Sequence, residues 1–219
     1  MTHRWSVNWL AAIGELLYSG GVTILENVAL AQYTTLGVGG AARWFVETGD
    51  EEDILSAVRF ARARGVGCFI LGGGSNLLVS DEGFDGVVVR VAGGALQWAE
   101  TGGGTASITA GAGAEWDAVV RLAVEKNGAG VECLAGIPGS VGGTPVQNVG
   151  AYRQEVSQTI IRVRALDLRR RRRSIWRLRS AASAIGAASS IQPSEGDTRL
   201  RAWSTGWRLG ARRCWSTAM

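Results

Sequence analysis

The chain has 219 residues, of which 46% are hydrophobic, and this is enough for one large globular domain or two small ones. Its three cysteines lie far apart and form no C-x-x-C pair, which argues against a disulfide framework or a zinc site and predicts reduced thiols, with Cys68 and Cys133 buried. The formal net charge is +4. No apolar run is long enough to span a membrane and the start has no signal-peptide pattern, so we expect a cytoplasmic protein.

Residues 1–24 are expected to form an N-terminal extension, in which residues 1–17 have the pattern of an amphipathic helix. Strand and helix patterns of the main domain follow. An apolar run predicts a strand at residues 42–48. Asp50 has the position of an N-cap, and the pattern after it predicts a helix that Gly65 ends. The apolar face of this helix consists of Ile54, Leu55, Val58 and Ala61.

Three more strands and a second helix are predicted further along the chain. Residues 68–71 have the pattern of a buried strand, and residues 86–92 and 106–112 predict two others. The second helix covers residues 114–128, with Gly128 as its C-cap. Its apolar stripe consists of Trp116, Val119, Val120, Ala123 and Val124. This order of elements predicts an α+β core.

The 32 glycines concentrate between residues 72 and 150, where bare main chain can turn tightly or approach a ligand closely. The sequence GVGGAA at residues 37–42 matches the dinucleotide-binding pattern G-x-G-x-x-A, but it lacks the strand before it and the helix after it that this motif needs. The chain contains no Walker A sequence. LGGGSN at residues 71–76, the first glycine loop, and GIPGSVGG at residues 136–143, the second glycine loop, suit a phosphate ligand better. The structural alternatives are a tight turn for the first and an Ω-loop for the second.

Four segments occur in the order found in the UDP-N-acetylenolpyruvoylglucosamine reductase family, and residues 25–168 resemble the FAD-binding part of that family. The segments are YTTLGVGG, ILGGGSNLLVSDEGFDGVVVR, AGAGAEWDAVV and VECLAGIPGSVGGTPVQNVGAYRQEV. The resemblance implies an α+β, FAD-binding domain of the vanillyl-alcohol-oxidase (PCMH) type. Such a domain has two α/β subdomains with FAD between them, and we expect the family's C-terminal substrate domain to be missing.

Members of this family are NADPH-dependent flavoenzymes of peptidoglycan synthesis, which reduce UDP-N-acetylglucosamine enolpyruvate to UDP-N-acetylmuramate. The resemblance therefore implies FAD as cofactor, NADPH as hydride donor and a UDP-sugar as substrate. It also implies a monomer in the cytoplasm that contacts no membrane and needs no metal.

The resemblance places cofactor-binding residues in three segments. The first glycine loop contributes Leu71, Gly72, Gly73, Gly74, Ser75 and Asn76. The second glycine loop contributes Gly136, Ile137, Pro138, Gly139, Ser140, Gly142 and Gly143. The flavin-proximal end consists of Asn148, Gly150, Ala151 and Tyr152. The next residue, Arg153, departs from the family, which has glycine there.

No catalytic residue is assigned. The family's arginine, which stabilises negative charge on the substrate, would align with Ala188 in the segment IGAASSIQP. No residue matches the family's serine proton donor or its glutamate. His3 is the only histidine and lies outside the predicted core, so a histidine-based triad is excluded. We therefore expect a truncated form with impaired activity.

Residues 169–219 form an arginine-rich tail that begins with five consecutive arginines. Residues 165–219 contain 12 arginines and 3 acidic residues, whereas residues 1–164 contain 11 basic and 16 acidic residues. Because the tail has no apolar periodicity, we expect it to be disordered. Its excess of Arg, Trp, Ser and Ala favours a shifted reading frame, and the alternatives are a solvated basic tail or a nucleic-acid arm. The alternative function is a non-catalytic flavin- or nucleotide-binding module with that arm, although nucleic acid is the less favoured partner.

Overall fold

Two β-sheets define two subdomains. The computed structural model describes the main chain of residues 17–19, 21–168, 172–177, 201–202 and 207–213, and the side chains of residues 21–168. The first sheet has the order β1-β2-β3-β5-β4, in which β3, β5 and β4 are parallel and the other pairs antiparallel. Its strands are β1 (Leu17–Ser19), β2 (Val22–Ala29), β3 (Ala41–Thr48), β4 (Gly67–Leu71) and β5 (Phe84–Val91).

The second sheet is antiparallel and has the order β12-β11-β14-β7-β6, with β8 added to β14 and β13 to β11. A separate two-stranded hairpin consists of β9 (Gly150–Ala151) and β10 (Gln154–Glu155). The strands of the second sheet are β6 (Leu96–Gly102), β7 (Thr105–Ala110), β8 (Gly128–Ala129), β11 (Ile160–Asp167), β12 (Arg172–Arg177), β13 (Arg201–Ala202) and β14 (Trp207–Arg213).

Helix α1 (Glu51–Ala63) joins β3 to β4 and confirms the first predicted helix. The Asp50 side chain accepts a hydrogen bond of 2.7 Å from the Glu52 N–H, so the predicted N-cap is present. Gly65 follows the last turn with a φ of +67°, which is the left-handed conformation expected of a glycine that ends a helix.

Both subdomains bury α1. The predicted apolar face is buried, and burial extends around the helix to Ala57 and Phe60. The reason is that Leu166 and Leu168, at the end of β11, belong to the same core cluster as α1 and the first sheet. A helix buried against two elements needs a wider apolar surface than one face.

The opposite face of the first sheet is covered by the segments that follow β2 and β4. The ring of Tyr33 stacks on that of Phe45 in β3 at 4.6 Å between centroids, and the Arg90 guanidinium lies 4.9 Å from the Tyr33 ring centroid. Leu71 and Val88 complete this second core. Burial, followed by the charge of Glu47, raises the pKa of Tyr33 against the opposing effect of Arg90.

Helix α2 (Trp116–Glu125) organises the core of the second subdomain, to which β7 and β11 also contribute. Trp116 is buried, and its Nε1–H donates a 3.0 Å hydrogen bond to the Leu134 carbonyl oxygen. A third helix, α3 (Thr144–Gln147), is a single turn that follows the second glycine loop.

The end of α2 differs from its prediction. Val124 is 53% exposed, so it does not belong to the buried stripe. The helix ends at Glu125, and Asn127 rather than Gly128 takes the left-handed conformation, with a φ of +54°. Gly128 instead begins β8, because its main chain pairs with β14.

Two other predictions need correction. The strand predicted as buried at residues 68–71 is β4, and only Leu71 is buried because β4 is an edge strand that pairs with β5 alone. Cys68 and Cys133, predicted as buried, are half-buried, and Cys68 lies on this edge strand. The first sheet begins with β1 and β2, which extend it beside β3, and the domain boundary at residue 25 stays a prediction.

The tail lies partly outside the described residues. Its three described segments are β12, β13 and β14, and β14 pairs with both β7 and β11. Strand pairing uses main-chain groups and needs no apolar periodicity. The expectation for the tail as a whole, residues 169–219, stays a prediction. The predicted helix at the start of the chain and Ala188 lie outside the described residues.

Candidate functional site

The two glycine loops contact each other through their main chains. The Gly73 N–H donates a 3.2 Å hydrogen bond to Ser140 Oγ. A Cβ atom on Gly73 would lie 2.7 Å from Gly139 Cα, and one on Gly139, where φ is +132°, would lie 2.9 Å from Ser75 Oγ. Only glycine permits this approach, so residues separated by more than sixty positions in the sequence form one continuous main-chain surface.

A third segment, residues 33–35, packs against the first glycine loop. Gly74 has a φ of +66°, and a Cβ atom there would lie 1.9 Å from the Tyr33 carbonyl oxygen. The Thr35 N–H donates a 3.0 Å hydrogen bond to the Gly74 carbonyl oxygen. Sequence reasoning assigned no site role to Tyr33 or Thr35, although the motif YTTLGVGG was already the signal for it.

Helix α2 anchors the second glycine loop. Asp117 Oδ1, in the first turn of α2, accepts a 3.0 Å hydrogen bond from the Gly136 N–H, and Asp117 Oδ2 accepts one from Arg121. The Gly136 N–H, and then Arg121, lower the pKa of Asp117, so this anchor stays ionised. The Trp116 N–H also donates to the Gly139 carbonyl oxygen at 3.0 Å.

Main-chain bonds attach the rest of this loop to the residues that precede α2. The Val141 N–H donates to the Ala114 carbonyl oxygen at 2.9 Å, and the Gly142 N–H donates to the Ala112 carbonyl oxygen at 2.7 Å. A Cβ atom on Gly143 would meet nothing within 4 Å, so no contact inside the protein requires glycine at this position.

Asn148 presents an acceptor without a partner. Its backbone is left-handed, with a φ of +45°, and its Nδ2–H donates a 2.9 Å hydrogen bond to Glu155 Oε2. Because a carboxylate only accepts, this bond fixes which amide atom is the oxygen. Oδ1 is buried and has no hydrogen-bond partner among the described residues. A buried acceptor of this kind fits a ligand that carries an N–H donor.

The hairpin of β9 and β10 follows directly. Its two turn residues, Tyr152 and Arg153, have φ values of +49° and +68°, as in a type I′ turn. The Tyr152 side chain is 86% exposed, so it contacts little of the protein itself. Gly150 and Ala151 form the strand that leads to this turn.

The structure brings the two glycine loops together, and the hairpin follows the second loop through α3. Of the predicted residues, Ser140 is buried with its hydroxyl on the Gly73 N–H, so it joins the loops. Leu71 is buried in the core of the first sheet.

A cavity of about 320 Å³ lies elsewhere at the junction of the subdomains and contains none of the predicted cofactor residues. Its walls come from the ends of β3, β5 and β7 and from Gln97 and Arg164. Across the part of the chain with described side chains, no group of three His, Cys, Asp or Glu residues could hold a metal ion. No helix in the described residues is long and apolar enough to cross a membrane.

Two α/β subdomains that meet at bare glycine loops, without acidic residues in either loop, define a domain that binds a phosphate-containing cofactor. Residues 42–169 match the model of a family described as "FAD binding domain". The match covers more than half of the chain, and the chain belongs to this family.

Curated relatives with the same name support a closer relationship. UDP-N-acetylenolpyruvoylglucosamine reductase of Saccharopolyspora erythraea is 54% identical over 149 residues, which are 68% of this chain and 41% of the relative. The protein of the same name in Nocardia farcinica is 52% identical over 155 residues, which are 71% of this chain and 39% of the relative. The chain thus spans about two fifths of the length of these relatives.

Solved structures agree on the fold. The UDP-N-acetylenolpyruvylglucosamine reductase of Thermus caldophilus has a TM-score of 0.61 and 28% identity, over 86% of this chain and 63% of that one. A VAO-type flavoprotein from Myceliophthora thermophila has a TM-score of 0.55 and 16% identity, over 78% of this chain and 32% of that one. The predicted PCMH-type fold is therefore confirmed, as is the resemblance to the FAD-binding part of these reductases.

Proposed function

We propose that the chain is the FAD-binding part of a UDP-N-acetylenolpyruvoylglucosamine reductase. In the full reaction NADPH is the hydride donor, and UDP-N-acetylglucosamine enolpyruvate becomes UDP-N-acetylmuramate for peptidoglycan synthesis. When bound, FAD supplies the hydride-transfer chemistry, and the protein binds and orients it. The observation that carries this proposal is the main-chain contact between the two glycine loops.

The residues present fit FAD in three respects. Neither glycine loop contains an acidic residue, so those N–H groups of residues 72–76 and 136–143 that make no bond within the protein can face the pyrophosphate. The unpartnered Oδ1 of Asn148 suits an N–H donor such as the one on the flavin ring. The exposed ring of Tyr152 is available to pack on a planar ligand.

Formation of UDP-N-acetylmuramate needs catalytic groups beyond those that bind FAD. The enolpyruvyl group develops negative charge during reduction, and a preorganised cation stabilises such charge. Ala188 stands where the family has that arginine. Loss of one such group lowers the rate by roughly a hundredfold to a thousandfold. We propose that this chain binds FAD as a cytoplasmic monomer but forms no measurable UDP-N-acetylmuramate in an assay of NADPH oxidation and product.

The substitution Gly143→Ala tests the cofactor site without disturbing the protein. A methyl group at residue 143 meets no protein atom, so the melting temperature should not change. If the main chain there faces FAD, the dissociation constant measured by flavin fluorescence should rise about tenfold.

Gly104→Ala is the matched control. A Cβ atom on Gly104 also meets nothing within 4 Å, but its φ of +72° strains an alanine, so this variant should lose stability and keep its affinity for FAD. The proposal fails if the unaltered chain does not bind FAD, or if Gly143→Ala binds FAD as tightly as the unaltered chain.

A further inference from the structure

We infer that the ion pair between Glu51 and Arg164 positions the two glycine loops relative to each other and so sets the affinity for FAD. This inference rests on the proposed function. It assigns Arg164 and Glu51 a positioning role, because neither residue belongs to a glycine loop and the pair acts through the orientation of the subdomains.

The pair crosses the junction between the subdomains. Glu51 is the first residue of α1, and Arg164 lies in the middle of β11. Arg164 Nη2 lies 3.3 Å from Glu51 Oε1, and the Glu51 side chain is only 11% exposed. By contrast, the Arg43–Asp85 pair joins strands within the first sheet, and its side chains are 53% and 79% exposed. A partly buried pair is screened less than an exposed one and constrains its elements more strongly.

A second bond attaches the other end of α1 to the same strand. Arg62 Nη2 donates a 3.0 Å hydrogen bond to the Leu168 carbonyl oxygen, directly after β11. Helix α1 therefore lies along the second half of β11 and is attached near both of its ends. From its last turn the chain needs only β4 to reach the first glycine loop, whereas β11 follows the second glycine loop and its hairpin.

The ion pair adds to an apolar contact at the same junction, where Leu166 and Leu168 belong to the core cluster of α1. Arg164 lies at the edge of this contact, because its side chain is 39% exposed and lines the cavity of about 320 Å³. Apolar packing is not directional, whereas the ion pair and the bond from Arg62 are directional contacts between α1 and the end of β11.

A double-mutant cycle on FAD binding tests this inference. Arg164→Gln and Glu51→Gln should each raise the dissociation constant for FAD about tenfold, and the double variant should bind no more weakly than either single variant. Arg164→Lys keeps the charge and should recover most of the affinity. Asp85→Asn, which removes the exposed pair, is the control and should leave the affinity unchanged.

Hydrogen exchange in the FAD-free protein makes the test independent of the proposed function. The Gly73 N–H is bonded to Ser140 Oγ across the loop contact, so its exchange should become faster in Arg164→Gln and stay unchanged in Asp85→Asn. If the unaltered chain binds no FAD, the proposed function fails and this exchange alone decides the inference. Unchanged exchange in Arg164→Gln, or independent and additive effects in the cycle, would overturn it.

Discussion

Three residues near the proposed site have backbone conformations that their side chains disfavour. Asn148, Tyr152 and Arg153 all have positive φ values, and they lie within the six consecutive residues 148–153, beyond the second glycine loop. A left-handed conformation costs a non-glycine residue about 1–2 kcal/mol. The type I′ turn and the pairing of β9 with β10 hold this segment in place despite that cost.

Relief of the strain at Arg153 should stabilise the protein. Arg153→Gly places glycine where φ is +68°, and the gain is partly offset by the greater freedom of glycine in the unfolded chain, which leaves about 0.5 kcal/mol. The free energy of unfolding in urea measures this effect. Arg162→Gly is the matched control, because glycine inside a strand should cost about 0.5–1 kcal/mol. A loss of stability in Arg153→Gly as large as that in the control would contradict this explanation of the turn.

At this scale the sequence predicted the positions of the glycine loops but not the roles of their neighbours. Glycine clusters are visible in any sequence, whereas the bond from the Gly73 N–H to Ser140 Oγ depends on how two distant loops meet. The same holds for Tyr33, whose carbonyl oxygen excludes a side chain at Gly74. Such contacts are long-range, and no local pattern encodes them.

Among the elements, α1 contributes most to the contact between the subdomains, because Leu166 and Leu168 of the second subdomain belong to the same core cluster as α1. Its sequence contains the start signal, the apolar positions and the stop signal, and all three are confirmed. The hairpin of β9 and β10 could not be predicted, because strands of two residues have no periodicity. Val124 was wrongly predicted as part of the buried stripe of α2, because helical spacing alone does not say where the surface that covers the helix ends.

The N-cap of α1 should be important for stability. Asp50→Ala removes the acceptor of the Glu52 N–H and should cost about 1 kcal/mol in the free energy of unfolding. Glu125→Ala is the control, because it removes an acidic residue from the last turn of α2, where the helix dipole does not favour one. Equal losses in the two variants would show that charge alone, and not the cap, accounts for the effect.

The described residues form two subdomains whose arrangement could not be predicted from sequence patterns alone. Sequence patterns predicted the four strands β3, β4, β5 and β7, but not that β5 lies between β3 and β4, nor that α1 packs against β11. The resemblance implied two subdomains and a PCMH-type fold, and this fold is confirmed. We propose that FAD binds where the glycine loops of the two subdomains meet.

Hydrogen exchange with and without FAD tests that claim most directly. If FAD binds between the glycine loops, its addition should slow exchange in peptides that contain residues 72–76 and 136–143, because the N–H groups not already bonded within the protein would gain acceptors and the loops would lose contact with water. Peptides from the β6–β7 hairpin, around Gly103, should not change. Binding of FAD without protection of either glycine loop, or with protection only around Gly94 and Gly111 at the cavity, would contradict the account.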